Sequence, residues 1–330
     1  MTAARPGAGP LRAVVAACLL VALAGCARDD AGPSRPGGSD HTPSARTSSP
    51  ALPGYVEASI EVSPQPNFAV GAFGSLWVTV GNGTVVRVDP STNKITATIR
   101  VGGKPGPIVM GYGALWVGDS NAGRLTRVDP HQERVAARIR LPGGVYGLTA
   151  GFGSVWASGV DWQGFARIDP QSNKVTARGH ADGNDIAAGF GSLWLTGTSG
   201  VMRLSPHDLS VQSHVKTRTA VHSLAVGLGS VWGAAGDAGD DVFRIDPGRD
   251  AVAATIKTDQ ASFPDRIAFS RSTAWVGEFR AGAVLGIDPR RATIVRRFKA
   301  GDGSAVVTVA FGSLWVDNYY SNSVWRIPLP

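Results

Sequence analysis

Ten residues ahead of seven regularly spaced tryptophans stand Asn67, Gly106, Tyr146, Asn184, His222, Asp265 and Ala305. Three residues after the same tryptophans stand Val80, Asp119, Gly159, Gly197, Ala235, Glu278 and Asn318. The members able to do chemistry are His222, Asp265, Glu278, Asp119, Tyr146 and Asn184. An imidazole beside carboxylates can move protons, and clustered carboxylates suit a hard divalent cation such as Mg²⁺. Nearby stretches add Asp161, Trp162, Asp185, Asp237, Asp240, Asp241, Phe279, Arg280, Asp317, Tyr319 and Tyr320. Aromatic faces there can stack on a sugar, a peptide or a planar metabolite. Carboxylates outnumber Lys and Arg in these stretches, so an acidic, aromatic-edged mouth is expected.

The tryptophans that set this register are Trp77, Trp116, Trp156, Trp194, Trp232, Trp275 and Trp315, spaced 39, 40, 38, 38, 43 and 40 residues apart. Each sits in a phrase like AAGFGSLWLTG, from Ala187 to Gly197. A period near 40 fits either a propeller blade or a helical repeat. The segments between decide for strands: "TVVRVDPSTNKITATIRV" is a β-branched run, an Asp-Pro turn and a second alternating run. Each unit therefore supplies an A strand such as 185–188, a B strand such as 192–196, a C strand carrying Arg-Val-Asp-Pro, and a D strand such as 94–101.

Six D strands follow the first six tryptophans, but the seventh unit ends without one. "VEASIEV", 56–62, has the character of the missing strand, and pairing it into the last unit closes the circle without exposed edges. The expected fold is all-β: a seven-bladed β-propeller of four-stranded blades, closed by an N-terminal strand completing the last blade, over 55–330. Within it the Arg and Asp at 87/89, 127/129, 167/169 and 244/246 read as a structural ion pair or turn cap.

The ends carry a different message. Arg5 and Arg12 precede a short apolar run, 13–22, and small residues follow, which reads as an export signal over 1–25. Leu23-Ala24-Gly25-Cys26 resembles the bacterial lipoprotein box, which implies that Cys26 becomes a lipidated N-terminus. Residues 26–54 are Pro-, Gly- and Ser-rich and read as a disordered tether. The expected location is the outer face of a bacterial membrane, held through the Cys26 lipid anchor. With Cys18 in the removed segment, the folded part has no partner for a disulfide.

At "WVTV", "RVDPSTNK" and "ATIRVG" the chain resembles the YVTN-type β-propellers and the streptogramin B (virginiamycin B) lyase family. That resemblance implies a seven-bladed ring and, for the lyases, Mg²⁺-assisted elimination with a His-based acid/base. His222 fits the place of one family histidine, with Asp265 beside it, and Glu278 fits a metal-binding glutamate. Where the family has a Glu two residues before a second His, this chain has Phe263 and Asp265.

Three functions compete. The leading expectation is a monomeric, non-catalytic binder of a small molecule, glycan or peptide, using Asp119, Tyr146, Trp162, Asn184, Arg280, Tyr319 and Tyr320. The second is a metal-assisted lyase using His222, Asp265 and Glu278. The third is nucleic-acid binding through Arg290-Arg291 and Arg296-Arg297-Lys299. The formal charge of +7 falls to about +5 without Arg5 and Arg12, weak for a dedicated nucleic-acid surface.

Overall fold

The computed structural model describes residues 52–159, 162–304 and 306–329. The export signal, Cys26 and nearly all of the tether lie outside the described residues, as do Asp161 and Ala305. Twenty-eight strands form seven four-stranded antiparallel sheets, and the one helical element among the described residues is a 3₁₀ turn, Gly236–Ala238. The first blade is Pro66–Ala72, Ser75–Val80, Thr84–Asp89 and Lys94–Arg100, strands A to D from the axis outward. The other A strands are Pro105–Gly111, Gly147–Gly151, Ile186–Gly189, Ser223–Gly227, Pro264–Phe269 and Val306–Ala310. Each touches the next, and the last touches the first, so the ring is closed.

The seventh blade contains Val306–Ala310, Ser313–Asn318 and Ser323–Pro328, with Ala58–Glu61 as its outer strand. Ala58 lies opposite Arg326 and Glu61 opposite Ser323. The strand anticipated at 56–62 thus joins the first part of the fold to the last.

The repeated phrase has a specific chemistry. All seven tryptophans are buried to 2% exposure or less. In six blades the indole N–H donates to the carbonyl five residues back, as from Trp77 to Ala72 at 3.0 Å; in the sixth, Trp275 uses the Ser270 hydroxyl instead. The ring thereby fills the blade interface while its one polar atom is satisfied at the A–B turn, which Phe cannot do.

The Arg and Asp of the C strand divide their labour, and they do not pair with each other. The Asp accepts from its own turn, as Asp89 does from the Ser91 amide and hydroxyl at 2.8 and 2.7 Å. Turn hydroxyls and amides hold Asp89, Asp129, Asp169 and Asp288 below the usual carboxylate range. The Arg lies over its own blade's Trp, at 5.4 Å for Arg127 and Arg203 and 5.2 Å for Arg326. It then reaches the turn of the following blade. Arg127 donates to Pro170 O at 2.8 Å and Asn173 Oδ1 at 3.1 Å, and Arg203 to Pro247 O and Asp250 Oδ1, both at 3.0 Å. Arg326 does the same across the closure, to Pro90 O and Asn93 Oδ1. A register shift follows the Arg position in the first six blades, as between Arg87 and Val88, including the sixth, where Gly286 stands in place of Arg.

Blade six is the exception, with Gly286 at the Arg position. The following blade takes its outer strand from the N-terminal side and so has no C–D turn to receive a guanidinium. A Cβ at Gly286 would meet the Trp275 ring at 2.9 Å, and Phe298 stacks on that ring at 5.7 Å with Tyr55 beyond it at 5.1 Å.

Replacing Arg203 by Ala removes three hydrogen bonds, to Ser192 Oγ, Pro247 O and Asp250 Oδ1, and one cation–π contact. The expected cost is about 1–2 kcal/mol in urea unfolding, with Lys restoring little because it lacks the planar fork. Equal stability of wild type and Arg203→Ala contradicts the assignment.

Candidate functional site

The starts of the A strands carry side chains that share one end of the axis. Tyr146 comes from blade three, Asp185 from blade four, His222 from blade five, and Asp265 with Arg266 from blade six. Tyr146 Oη lies 2.8 Å from His222 Nε2, and Asp265 Oδ1 lies 3.7 Å from the same nitrogen. Arg266 donates to Asp185 Oδ2 at 2.7 Å, and its Nε is 3.6 Å from Asp265 Oδ1. Its guanidinium also lies over the rings of Phe68, at 4.8 Å, and Tyr146, at 5.8 Å. One arginine thus links blades one, three, four and six.

Asp185 is fixed from several sides. It accepts from the Leu224 and Ile186 amides at 2.9 and 3.0 Å, and a Cβ at Gly147 would meet its carboxylate at 2.7 Å. Burial pushes its carboxyl up, against the pull of Arg266 and the amides. Burial works to lower the Arg266 guanidinium, but Asp185 and Asp265 outweigh it and raise the pKa, so this cation stays charged. The His222 side chain remains 21% exposed. A phenol and a carboxylate therefore meet at Nε2 of a partly exposed imidazole, an arrangement able to accept and relay a proton.

From His222 a chain of ring contacts leads outward. His222 meets Phe263 at 5.4 Å, Phe263 meets Phe279 at 5.8 Å, Phe279 meets Tyr320 at 5.6 Å, and Tyr320 meets Tyr319 at 5.2 Å. Arg280 lies over Phe263 at 5.1 Å and is paired with Asp237 at 2.5 Å. Gly303, at φ 74°, allows the close approach: a Cβ there would meet Tyr320 at 2.8 Å. Tyr320 is 60% exposed. Phe263 and Arg266 belong to this site yet are absent from the sequence-derived set of binding residues.

Other expected members lie elsewhere. Asp119 is buried, accepts from the Lys104, Asn121 and Ala122 amides and pairs with Arg124 at 2.8 Å. Asn318 likewise accepts from the Gly301 amide. These positions, three residues past the Trp, end the B strand and tie down the loop entering their own blade, so they do not ring the channel. Glu278 is fully buried and paired with Arg297 at 3.0 Å, and burial pushes its carboxyl up. Trp162 donates to Gly144 O at 3.1 Å, and the Asn184 side chain accepts from Thr196. Both brace loops.

The acidic mouth is largely neutralised. Asp119, Asp185, Asp237, Asp241, Asp265 and Glu278 are all in ion pairs with arginines or lysine, with Arg218 and Lys257 serving Asp241 and Arg266 serving Asp265. Three of these cations, Arg218, Lys257 and Arg297, come from D strands or the loop after one, outside the stretches whose charges suggested an acidic mouth. Among the described residues no group of three or more His, Cys, Asp or Glu is placed to hold a metal ion. With Glu278 and Asp119 committed to arginines, the donor set does not fit Mg²⁺.

No protein-family model matches the chain, and no curated protein matches it. Solved structures do. A hydrazine synthase chain from Kuenenia stuttgartiensis superposes with a TM-score of 0.70 at 14% identity, over 84% of this chain and 99% of that one. A streptogramin B lyase structure superposes with a TM-score of 0.71 at 17% identity, over 83% of this chain and 97% of that one. At such identities the likeness is one of fold: the chain is a β-propeller with enzymes among its structural neighbours.

Asp317, on the B strand of blade seven, is 1% exposed, and neither carboxylate oxygen has a hydrogen-bond partner. Burial pushes its pKa up to about 8. An unfolded Asp releases its proton near pH 4, whereas the native state keeps it to about pH 8. The contribution of Asp317 to stability is therefore fully present below pH 4 and is lost as pH rises through this window, by at most about 1.4 kcal/mol per unit. Asp317→Asn is expected to flatten that slope in unfolding experiments at pH 4, 6 and 8. Parallel slopes for the two proteins count against a buried neutral carboxyl.

Proposed function

We propose that the protein is an exported, lipid-anchored propeller that binds a small molecule, glycan or peptide at this mouth without transforming it. The observation that carries the reading is the unbroken run of rings from His222 to Tyr319. It joins a polar cluster at the axis to an exposed aromatic rim. Such a surface suits a ligand with a flat or ring-shaped apolar part and a polar head. The head meets His222, Tyr146 and Arg280, and the apolar part lies across Phe263, Phe279 and Tyr320. The Cys26 lipoprotein box supports placement at the outer face of a bacterial membrane.

A second reading is a lyase resembling the streptogramin B enzymes. The contact of His222 Nε2 with Tyr146 and Asp265 favours it, because elimination needs a base and an acid in one place. In that reading His222 and Asp265 handle the protons. Glu278, committed to Arg297, is not available as the metal ligand.

A melting screen of residues 52–330 against type B streptogramins, oligosaccharides and cyclic peptides tests both readings. A ligand at 100 times its Kd stabilises by about 2.7 kcal/mol. The binding reading expects at least one such shift, lost in Tyr320→Ala, with the compound recovered intact by chromatography. Recovery of a linear depsipeptide, abolished by His222→Ala, selects the lyase reading. No shift and no turnover across the screen overturns both. The anchor is checked separately by labelled palmitate uptake into the full chain, expected in wild type and absent in Cys26→Ala.

A further inference from the structure

The A–B turns lie at the end of the ring opposite the polar cluster, and their composition is not what the turn itself favours. In blade one Phe73 and Gly74 have φ of 50° and 72°. Two successive positive values mark a type I′ turn, whose first central position favours Asn, Asp or Gly. Six of the seven blades instead place a bulky residue there: Phe73, Tyr112, Phe152, Phe190, Leu228 and Phe311, all with φ between 50° and 54°. A bulky side chain in this conformation costs on the order of 1 kcal/mol or more. Phe73 and Leu228 pack partly against the core. Phe73 meets His131 edge-on at 5.6 Å, and Phe311 leans over Gly71 of the next blade. Even so, Tyr112, Phe152, Phe190 and Phe311 remain 40–44% exposed, with Met110 beside them at 46%. The strain and exposure recur around the axis, and neither helps the fold.

The same face has a cationic periphery. Strands A and C run in the same direction, so A–B and C–D turns share this end, as the joint cavity of about 410 Å³ lined by Tyr112, Gly153, Pro170 and Gln171 shows. Lys94, Lys174, Arg249, Arg290 and Arg291 stand exposed at the C–D turns, and Arg271 is exposed at the A–B turn of blade six. The neighbouring aspartates accept from their own turn amides, as Asp288 does from those of Arg290 and Arg291, and Asp246 and Asp288 also lie 3.8 and 4.0 Å from Arg249 and Arg291. What faces outward is a ring of apolar side chains near the axis, bordered by exposed Lys and Arg among which Glu133 and Asp208 are the exposed carboxylates.

Tyr settles at the headgroup level of a bilayer, Phe buries at the acyl boundary just beneath it, and Lys and Arg are drawn to anionic lipid. We propose that this face rests on the anionic surface of the membrane that carries the protein, presenting the His222 mouth away from it. The inference rests on the lipid-anchored reading above. The expected tether of residues 26–54 spans about 30 Å as a flexible chain, enough for the ring to lie against the surface at which Cys26 would be held. Pairing of two copies through this face would bring two cationic borders together, which disfavours a second copy as the occupant.

All seven blades are complete within Ala58–Pro328, so residues 52–330 form the ring without the anchor. The test is flotation of this chain with vesicles of phosphatidylcholine containing about one third phosphatidylglycerol, a composition with anionic surface potential. The triple variant Phe152→Asn/Phe190→Asn/Phe311→Asn is the comparison, because Asn suits the turn and keeps the ring folded, checked by its melting point. Wild type is expected to bind, the variant at least about tenfold more weakly, a loss of 1.4 kcal/mol or more. Equal binding by both, or binding by neither, overturns the proposal. So does a wild-type dimer in sedimentation that the variant dissolves, which gives the face to a second copy. Failure of the anchor is read apart from this, as an unacylated Cys26 in the mass of the full chain.

Discussion

An arginine laid on a buried tryptophan and hydrogen-bonded into the next blade's turn is the contact on which the ring depends. Apolar packing between blades is strong but tolerant of sliding. The guanidinium adds direction, because its donors must meet a turn carbonyl and an Asn or Asp oxygen held at fixed height. The indole face shields one side of the cation, and the capping Asp holds the turn that supplies the acceptors. Arg326 makes this contact from the last inner blade to Pro90 and Asn93 of the first, so closure combines strand pairing with the same polar bridge used elsewhere. Where the chain order removes the acceptor turn, between blades six and seven, Gly286 stands in place of Arg and the Tyr55, Phe298 and Trp275 rings fill the gap.

Because this scaffold is written in the A–B and C–D ends of the blades, the opposite loops are free to differ. Their variation yields a mouth built from four consecutive blades, with Tyr146, Asp185, His222 and the Asp265–Arg266 pair each contributed by a different one. Arg266 serves two ends at once. It neutralises Asp185, buried at the axis, and it stacks on Tyr146, whose phenol touches His222. Polar groups in such a site are held by several partners, which limits their motion and prepares them for a ligand.

Much of this was legible in the residues. The spacing of the tryptophans gave seven units, the absent seventh D strand pointed to 56–62, and an offset of ten residues brought Tyr146, His222 and Asp265 together. The offset of three failed at Asp119, Glu278 and Asn318, because a side chain at the end of a B strand turns to the nearest loop amides or to a cation on the outer strands. Charge counting failed for a related reason. Arg297 is 19 residues from Glu278 and Arg218 is 23 from Asp241, separations that only the sheet register brings together. Arg266 was invisible because its importance lies in its reach across the axis, which no local pattern records. The Arg and Asp two residues apart invited a local pair, yet one serves the next blade and the other its own turn.

The central claim is that different residues hold the ring and form its mouth. The most direct measurement is the melting temperature of His222→Ala/Arg280→Ala/Tyr320→Ala beside that of Arg127→Ala/Arg203→Ala. The mouth variant is expected to melt within a few degrees of wild type, whereas the loss of two inter-blade bridges lowers the midpoint clearly, since 1 kcal/mol shifts a chain this large by about 2–4 °C. A mouth variant that melts as early as the bridge variant would show that the supposed binding residues are part of the scaffold.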